Sequence, residues 1–296
     1  MTKILIITGL TGSGKSSLAV DIAKKYNGEI ISADSVQIYK GLDIGSAKET
    51  KETMSKICHH LIDIKEFSET YNVGEFIEDC KFAINKIIKK GKLPIIVGGT
   101  GLYVKALLEG YSLGSTSNLD LRKKYEDMAE NEGKQAVWDV LNKLNPTKAK
   151  SVHYNNLKRV IRYIELEQTD CAPTKIESIL KNYKTLNIGI TAERELIYNR
   201  INNRVDEMIN LGLEEEVKNL IKNGAKREHQ AFNSIGYKEW FDYFEGKTNK
   251  EETINLIKQH TRNYCKRQLT FLKTIPNLEL LDIKTARERI EEFIND

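Results

Sequence analysis

A glycine-rich segment near the start of the chain has the composition and spacing of a phosphate-binding loop. The pattern G-x-x-x-x-G-K-[ST] is matched at each fixed position by Gly9, Leu10, Thr11, Gly12, Ser13, Gly14, Lys15 and Ser16. We expect the backbone N–H groups of Thr11 to Ser16 to surround an anion at a helix N-terminus. Lys15 would neutralise oxygens of a di- or triphosphate, and the Ser16 hydroxyl would ligate Mg²⁺. The pattern does not say whether the phosphate is attacked or only leaves.

A second group of polar residues follows the next predicted strand, in "ADSVQIY". It lies where a doubly wound sheet binds its ligands, beyond the carboxyl ends of the strands. Position alone leaves three roles open for Asp34: a magnesium-holding acid, a general base, or the side chain of an Asx turn. Asp34 and Gln37 beside Tyr39 suit an adenine-like heterocycle, because a carboxylate accepts from an exocyclic amine while Gln donates and accepts together. A polar surface loop is the alternative.

The elements that must position these residues alternate between short apolar runs and helical patterns. Strands are predicted at 3–8, 28–34, 60–64, 93–97 and 186–190, and helices at 16–25, 76–90, from Gly101, and as one long amphipathic helix through 193–224. This alternation requires right-handed crossovers and a parallel sheet covered on both faces. A polar linker is predicted at 114–118, and a helical pattern follows to about residue 167. We therefore predict an α/β core, 1–114 and 185–296, with an all-helical insertion at 115–184.

Composition excludes several classes of protein. The chain has 296 residues and a net charge of +4, too small an excess to prove a nucleic-acid partner. The four cysteines include no C-x-x-C pair, which is typical of reduced thiols in the cytoplasm. Nowhere do about 18 apolar residues run together, so no membrane association is expected. Cys58-His59-His60 is the only ligand-like cluster, and a polar loop explains it better than a metal site, because adjacent residues cannot easily turn toward one ion.

The segment from Lys258 to Lys273 is a basic helical pattern with five Lys or Arg residues and no acid. Arg262 and Lys266 lie one helical turn apart, with Tyr264 and Phe271 interspersed. Such a face can contact nucleic acid, although a merely solvated face is the alternative.

Eight segments in order make the chain resemble the tRNA dimethylallyltransferase family, also called tRNA isopentenyltransferases, over nearly its whole length. They are GLTGSGKS at 9–16, DSVQIYKGLDIGSAK at 34–48, HHLIDI at 59–64, GGTGLY at 98–103, KRVIR at 158–162, RINNRVDEMI at 200–209, IGYKE at 235–239 and TRNYCKRQ at 261–268. The resemblance implies a P-loop-type fold and transfer of a dimethylallyl group from dimethylallyl diphosphate to N6 of adenosine 37 in tRNA. Asp34 would be the general base for the amine proton. The loop, Lys15 and Mg²⁺ would stabilise the leaving diphosphate.

Further residue roles follow from the same resemblance. Thr100 would lie near the tRNA substrate, although a helix N-cap is its other reading. Arg200 and Arg204 would reach diphosphate or RNA, with pairing to nearby acids as the alternative. Contacts to the tRNA anticodon stem-loop are implied for Asp34, Ser35, Val36, Gln37, Thr100, Arg122, Lys158, Arg159, Val160, Ile161, Arg162, Asn233, Ser234, Ile235, Gly236, Tyr237, Lys238, Thr261, Arg262, Lys266, Arg267 and Gln268. A monomer that grips one anticodon stem is expected, with the target base extruded from its loop.

Some positions depart from the family pattern. Leu10 and Gly12 replace a common Pro and Ala, Val36 replaces a frequent Arg, and Ser46 replaces a usual Thr. The segment 270–273 reads TFLK instead of TWFR, and no zinc-finger extension follows, which indicates a bacterial-type member. Two other functions remain: an adenylate-type isopentenyltransferase acting on a free nucleotide, and a P-loop small-molecule kinase or ATP-dependent RNA-binding switch.

Overall fold

The apolar runs of the sequence form the strands of one parallel sheet. The structure, a computed structural model, describes residues 1–113, 118–168 and 174–296. Within these ranges the strands are β1 (Lys3–Gly9), β2 (Gly28–Ser32), β3 (His59–His60), β4 (Leu93–Gly98), β5 (Tyr111–Leu113), β6 (Thr174–Ile176), β7 (Lys184–Ile190) and β8 (Glu279–Leu281). The main sheet has the order β3-β2-β4-β1-β7-β8, and its neighbouring strands are parallel. The predicted P-loop-type α/β fold is confirmed.

Helices cover this sheet and connect its strands. In the described residues they are α1 (Lys15–Lys25), α2 (Lys51–Lys56), α3 (Val73–Lys89), α4 (Gly101–Glu109), α5 (Leu119–Glu132), α6 (Lys134–Leu144), α7 (Pro146–Lys150), α8 (Leu157–Gln168), α9 (Arg194–Asn210), α10 (Leu213–Lys222), α11 (Lys238–Phe244), α12 (Lys250–Leu272) and α13 (Ile283–Asn295). A 3₁₀ turn occupies Gln230–Asn233.

Burial explains why β1 is a continuous apolar run. Its residues pack with Leu18 and Ile22 of α1 and with Ile290 of α13 in one core, and each such side chain contributes about 1.5–3 kcal/mol when fully buried. Thr8 is level with Gly98 in the neighbouring strand, so β1 and β4 end together. The loops after β1, β2 and β4 therefore meet at one edge of the sheet, where polar site residues were predicted.

Three predicted elements were wrong in extent. The strand expected at 60–64 is only His59–His60, because Leu61 and Asp63 adopt left-handed backbone with φ of 61° and 55°. The single helix expected through 193–224 is two helices, α9 and α10, separated at Gly212, whose φ is 95°. The second strand ends at Ser32, so Asp34 belongs to the loop that follows it.

The chain divides into two compact units: the larger comprises Met1–Glu109 and Ser178–Asp296, and the smaller Gly110–Glu177. The smaller unit has its own core, which includes Tyr125, Val137, Leu141 and Ile164. The insertion was predicted to be all-helical. This prediction is wrong, because the smaller unit contains β5 and β6, which form an antiparallel pair. Strands of three residues are too short to show a period of two in the sequence. Gly114–Ser117 of the predicted linker, and Cys171, lie outside the described residues.

No helix among the described residues is both long and apolar enough to cross a bilayer. The described cysteines, Cys58, Cys80 and Cys265, are free thiols.

Candidate active site

The phosphate-binding loop joins β1 to α1. Gly12 and Gly14 have φ of 79° and 89°, which residues with a side chain rarely adopt, and Gly14 immediately precedes the helix. The N–H groups of Lys15 and Ser16 lie in the first turn of α1, where N–H groups have no acceptor within the helix. They are therefore available to an anion at the positive end of the helix dipole.

Not all the loop amides face an anion as expected. The Thr11 N–H donates to the side chain of Gln268 at 2.9 Å, and the Ser13 N–H donates to the Leu10 carbonyl at 3.2 Å. Leu10 itself is buried, and among the described residues the Ser13 hydroxyl is a buried polar atom with no hydrogen-bond partner. The N–H groups of Thr11 and Ser13 are thus already bonded within the protein, unlike the arrangement expected for them.

Lys15 follows the loop and lines the cavity beneath it. Its Nζ donates to the Leu10 carbonyl at 3.3 Å. Burial, reinforced by the positive charge of Arg204, lowers the pKa of Lys15 to about 8, although Asp34 and Cys265 oppose this. Lys15 is thus a desolvated cation close to both a guanidinium and a carboxylate. A bound anion would stabilise its charged form.

Asp34 forms the Asx turn that the sequence left as one of its three readings. Its Oδ1 accepts hydrogen bonds from the N–H groups of Val36, at 2.8 Å, and Gln37, at 3.3 Å. Among the described residues no donor contacts Oδ2. Because one oxygen fixes the orientation of the carboxylate, the other is left for a proton or a cation.

Thr100 and Gln37 hold the same loop in place. Thr100 Oγ1 accepts from the Ser35 N–H at 3.1 Å, so its hydroxyl binds the loop after β2. Gln37 Oε1 accepts from the Ser32 hydroxyl at 3.0 Å, and its Nε2 lies 3.3 Å from each of the Ser46 and Ala47 carbonyls. Gln37 thus already uses both ends of the amide that was expected to pair with a base.

A cavity of about 400 Å³ opens beside the loop in the larger unit. One part of its wall is polar and carries Lys15, Ser16, Asp34 and Thr100. Another part is apolar, formed by Ile201, Val205, Met208, Ile235 and Ile257. The cavity therefore offers a candidate anion site, a carboxylate and an apolar surface together.

The structure brings many of the predicted residues to this cavity. Those that line it are Thr11, Lys15, Ser16, Asp34, Ser35, Val36, Gln37, Thr100, Asn233, Ser234, Ile235, Gly236, Lys238, Thr261 and Arg267. The remaining predicted residues of the larger unit contact other groups. Arg200 is exposed and reaches the Gly12 carbonyl at 3.5 Å, and Arg262 donates to the Asn202 side chain at 2.6 Å. Lys266 is exposed, whereas Tyr237 and Gln268 are buried.

The other predicted RNA contacts belong to the smaller unit. Val160 and Ile161 are in its core, so their side chains pack inward and are not exposed for the RNA contacts implied for them. Arg122 and Arg162 both pair with buried Glu165, whose pKa is lowered because hydrogen bonds from these arginines outweigh its burial. Lys158 and Arg159 are exposed.

Sequence reasoning missed, or left unassigned, groups that meet only in three dimensions. Arg204 lines the cavity, and burial lowers the pKa of its guanidinium while Asp34 raises it. Burial, then the charge of Asp34, raises the pKa of Tyr264 to about 12. Glu216 accepts from the N–H groups of Ile44 and Gly45 and from the Tyr237 hydroxyl. Sequence signals existed for Arg204, which lies one turn after Arg200, and for Tyr264, which lies within the basic helical pattern, but neither signal indicated this cavity.

The Cys58-His59-His60 segment contributes to a separate cluster. His60 Nε2 lies 2.8 Å from Glu29 Oε2 and 3.5 Å from Cys58 Sγ. Cys58 and His60 therefore do turn toward one point, which was not expected from the sequence for residues so close in the chain. However, Lys90 and Lys92 also bind the Glu29 carboxylate, at 2.8 and 2.9 Å. Because two ammonium groups already neutralise it, this cluster is an ion-pair network.

The fold and the site define a P-loop α/β protein whose phosphate loop opens into a cavity containing a carboxylate. The IPP transferase family model matches residues 37–275. The tRNA dimethylallyltransferase of Ligilactobacillus salivarius (strain UCC118) is 42% identical over 98% of this chain and 96% of that protein. The chain belongs to the IPP transferase family, as the sequence motifs predicted.

Solved structures agree with this assignment. The tRNA isopentenylpyrophosphate transferase of Bacillus halodurans is 40% identical, with a TM-score of 0.73, over 100% of this chain and 96% of that one. A eukaryotic dimethylallyltransferase, described as acting on tRNA, is 28% identical with a TM-score of 0.79. That match covers 100% of this chain and 80% of the eukaryotic one.

Proposed function

We propose that this protein transfers the dimethylallyl group of dimethylallyl diphosphate to N6 of adenosine 37 in tRNA and releases diphosphate. The observation that carries the proposal is that Lys15 and Ser16, at the phosphate loop, line the same cavity as Asp34 and an apolar wall. The apolar wall suits a five-carbon chain, and the names of the relatives point to the same reaction.

Asp34 accepts the proton in this reaction. The lone pair of an adenine N6 amine is delocalised into the ring, so the amine is a weak nucleophile and benefits from a general base. The N6–C1 bond forms while the bond between C1 and the diphosphate oxygen breaks, and the bonding electrons leave with diphosphate. The N6 proton passes to Oδ2, the Asp34 oxygen outside the Asx turn. The Asx turn keeps this oxygen oriented throughout the reaction.

The loop receives the diphosphate as its negative charge grows. The first N–H groups of α1, Lys15 and Arg204 provide positive charge in a partly desolvated space, where electrostatic stabilisation is strong. Lys15, whose pKa is about 8, is protonated at neutral pH, and a bound anion favours this charged form further.

The oxygen donors present fit Mg²⁺. Ser16 offers a hydroxyl next to Lys15 at the start of α1, in the lining of the same cavity. Mg²⁺ keeps several waters and binds through one or two protein oxygens plus phosphate oxygens, so a small protein donor set suffices. When bound, the ion would neutralise charge on the diphosphate.

RNA binding is assigned to exposed cations of both units, namely Lys158 and Arg159 in the smaller unit and Lys266 and Arg267 on α12. Single-stranded loops make extrusion of the target base comparatively cheap. We include in the proposal that the protein acts as a monomer on one tRNA in the cytoplasm.

The proposal is tested by incubating the protein with labelled dimethylallyl diphosphate, Mg²⁺ and a tRNA transcript carrying adenosine at position 37. We expect label in the RNA, one diphosphate released per group transferred, and no ATP requirement. The matched control is the same transcript with guanosine at position 37, which should remain unlabelled. Label in AMP but not in tRNA would identify the adenylate-type activity, and consumption of a γ-phosphate would identify a kinase.

A further inference from the structure

The side-chain amide of Gln268 connects three elements of the larger unit. Its Oε1 accepts from the Thr11 N–H at 2.9 Å and from the Thr11 hydroxyl at 3.1 Å. Its Nε2 donates to the Gly99 carbonyl at 3.1 Å. Gln268 belongs to α12 and is only 6% exposed. One buried amide thus fastens α12 both to the phosphate loop and to the turn after β4.

The turn after β4 fits closely around this amide. A Cβ added at Gly99 would lie 2.8 Å from Gln268 Nε2 and 3.7 Å from Lys15 Nζ. Tyr264, one helical turn earlier on α12, places its hydroxyl 3.5 Å from the same Gly99 carbonyl. Gly99 immediately precedes Thr100, so α12 determines the position of that residue as well as the position of the loop.

Neighbouring residues of α12 have different surroundings. Lys266 and Arg267 are exposed, whereas Gln268 lies on the inward face of the helix. Both ends of its amide are already hydrogen-bonded, and a buried amide that loses its partners pays a desolvation cost. Gln268 would have to break these bonds to reach RNA, although the family resemblance implies an RNA contact for it.

We propose that Gln268 is a positioning residue for the diphosphate side of the site and does not contact tRNA. By fixing the Thr11 N–H, it sets the path of the loop into α1, and with it the N–H groups and Lys15 that receive diphosphate. Through Gly99 it holds the adjoining Thr100. This inference rests on the proposed function in taking diphosphate as the loop's ligand.

Gln268→Met tests this role because Met has a similar length but neither donates nor accepts as an amide does. We expect the dissociation constant for inorganic diphosphate, measured by calorimetry on the full chain, to rise about tenfold, as for a lost hydrogen bond. The dissociation constant for a fluorescent anticodon stem-loop should stay within about twofold of wild type. In the transfer assay the KM for dimethylallyl diphosphate should rise while the KM for tRNA does not.

Lys266→Ala, two positions earlier on the same helix, is the matched control. It should weaken stem-loop binding and leave diphosphate binding unchanged, the opposite of Gln268→Met. Gln268→Glu provides a second test that keeps an acceptor for Thr11 but introduces a negative charge near Lys15. It should weaken diphosphate binding by more than tenfold, a change greater than about 1.4 kcal/mol, with stem-loop binding again near wild type.

The inference is overturned if the Gln268 variants weaken stem-loop binding as much as Lys266→Ala does, or if their diphosphate affinity equals that of wild type. Failure of the proposed function would look different. In that case the wild-type protein itself would transfer no dimethylallyl group to tRNA, whatever the variants do to diphosphate binding.

Discussion

In the proposed mechanism Asp34 combines a structural and a chemical role in one carboxylate, and the two roles can be separated by substitution. Asn at this position can still accept the Val36 and Gln37 N–H groups through Oδ1, but it cannot take a proton at neutral pH. We expect Asp34→Asn to lower the single-turnover transfer rate by about 10²- to 10⁴-fold, the usual contribution of general-base catalysis. Stem-loop affinity, measured by fluorescence anisotropy, should change by less than about twofold.

Asp34→Ala is the control for the turn. It removes both roles, so it should abolish transfer and also loosen the loop that begins at Ser35. If Asp34→Asn lost RNA binding and transfer rate to the same extent, Asp34 would be a binding residue instead of the base.

Lys15 should make donor binding depend on pH. Because burial and Arg204 lower its pKa to about 8, the free site loses the Lys15 charge as pH rises above 8, whereas a bound anion favours the protonated form. We therefore expect diphosphate affinity to be greatest below pH 8 and to fall above it, with proton uptake on binding there. Calorimetry in buffers of different ionisation enthalpy measures this uptake. Lys15→Met should bind more weakly and show no uptake; unchanged uptake would assign the proton to another group.

The residues that could be predicted from the sequence are those whose role follows from local spacing. The loop up to Ser16 and the Asx-turn reading of Asp34 depend on neighbours within a few positions. Gln268 could not be assigned its partner, because Thr11 lies 257 residues away and tertiary packing alone brings them together. Arg204 was left between two roles for the same reason, since spacing on a helix does not say what the helix faces.

At the scale of elements, α10 holds the loop around residues 43–45 through the side chain of Glu216. Glu216 accepts from the N–H groups of Asp43, Ile44 and Gly45, and from the hydroxyl of buried Tyr237. We expect Glu216→Ala to leave these donors without their acceptor and to lower the free energy of unfolding by about 1–3 kcal/mol. Hydrogen exchange should rise selectively in the loop around residues 43–45.

Glu215→Ala is the matched control, because Glu215 is on the same helix but is exposed and pairs with Lys218 across 3.5 Å. Surface pairs of this kind contribute at most about 1 kcal/mol. If the loop around residues 43–45 were equally protected from hydrogen exchange in Glu216→Ala and Glu215→Ala, contacts other than those of Glu216 would hold it.

Element boundaries were predicted less well than element types. The periodicity of α9 and α10 continues across Gly212, so the sequence looked like one helix, and only the positive φ of Gly212 separates them. β8 contains three residues and, within the part of the chain that the structure describes, lies at the edge of the sheet beside β7, which leaves little local signal. The strands and helices that carry the phosphate loop were predicted because long buried runs and an amphipathic helix both have strong periodicity.

At the scale of the whole molecule, the Glu29 network links stability to pH. Burial alone would raise the pKa of Glu29, but hydrogen bonds from Lys90, Lys92 and His60 outweigh it and lower the pKa from 4.5 to about 2. A carboxyl group whose pKa is lower in the folded protein contributes stability above its unfolded pKa, and this contribution is lost as pH falls through the folded pKa. The contribution of Glu29 should therefore be complete above about pH 5 and disappear between pH 4.5 and 2.

Glu29→Gln isolates this contribution. The two lysines are partly exposed, which reduces the effect, so we expect about 2 kcal/mol of destabilisation at pH 7. The difference from wild type should shrink as pH falls below 4.5, when measured by urea unfolding at a series of pH values. Glu52→Gln, which disrupts the exposed pair with Lys56, should cost less than about 1 kcal/mol and change little with pH. A Glu29→Gln destabilisation that stayed constant down to pH 2 would mean that lost packing, not the carboxylate charge, is responsible.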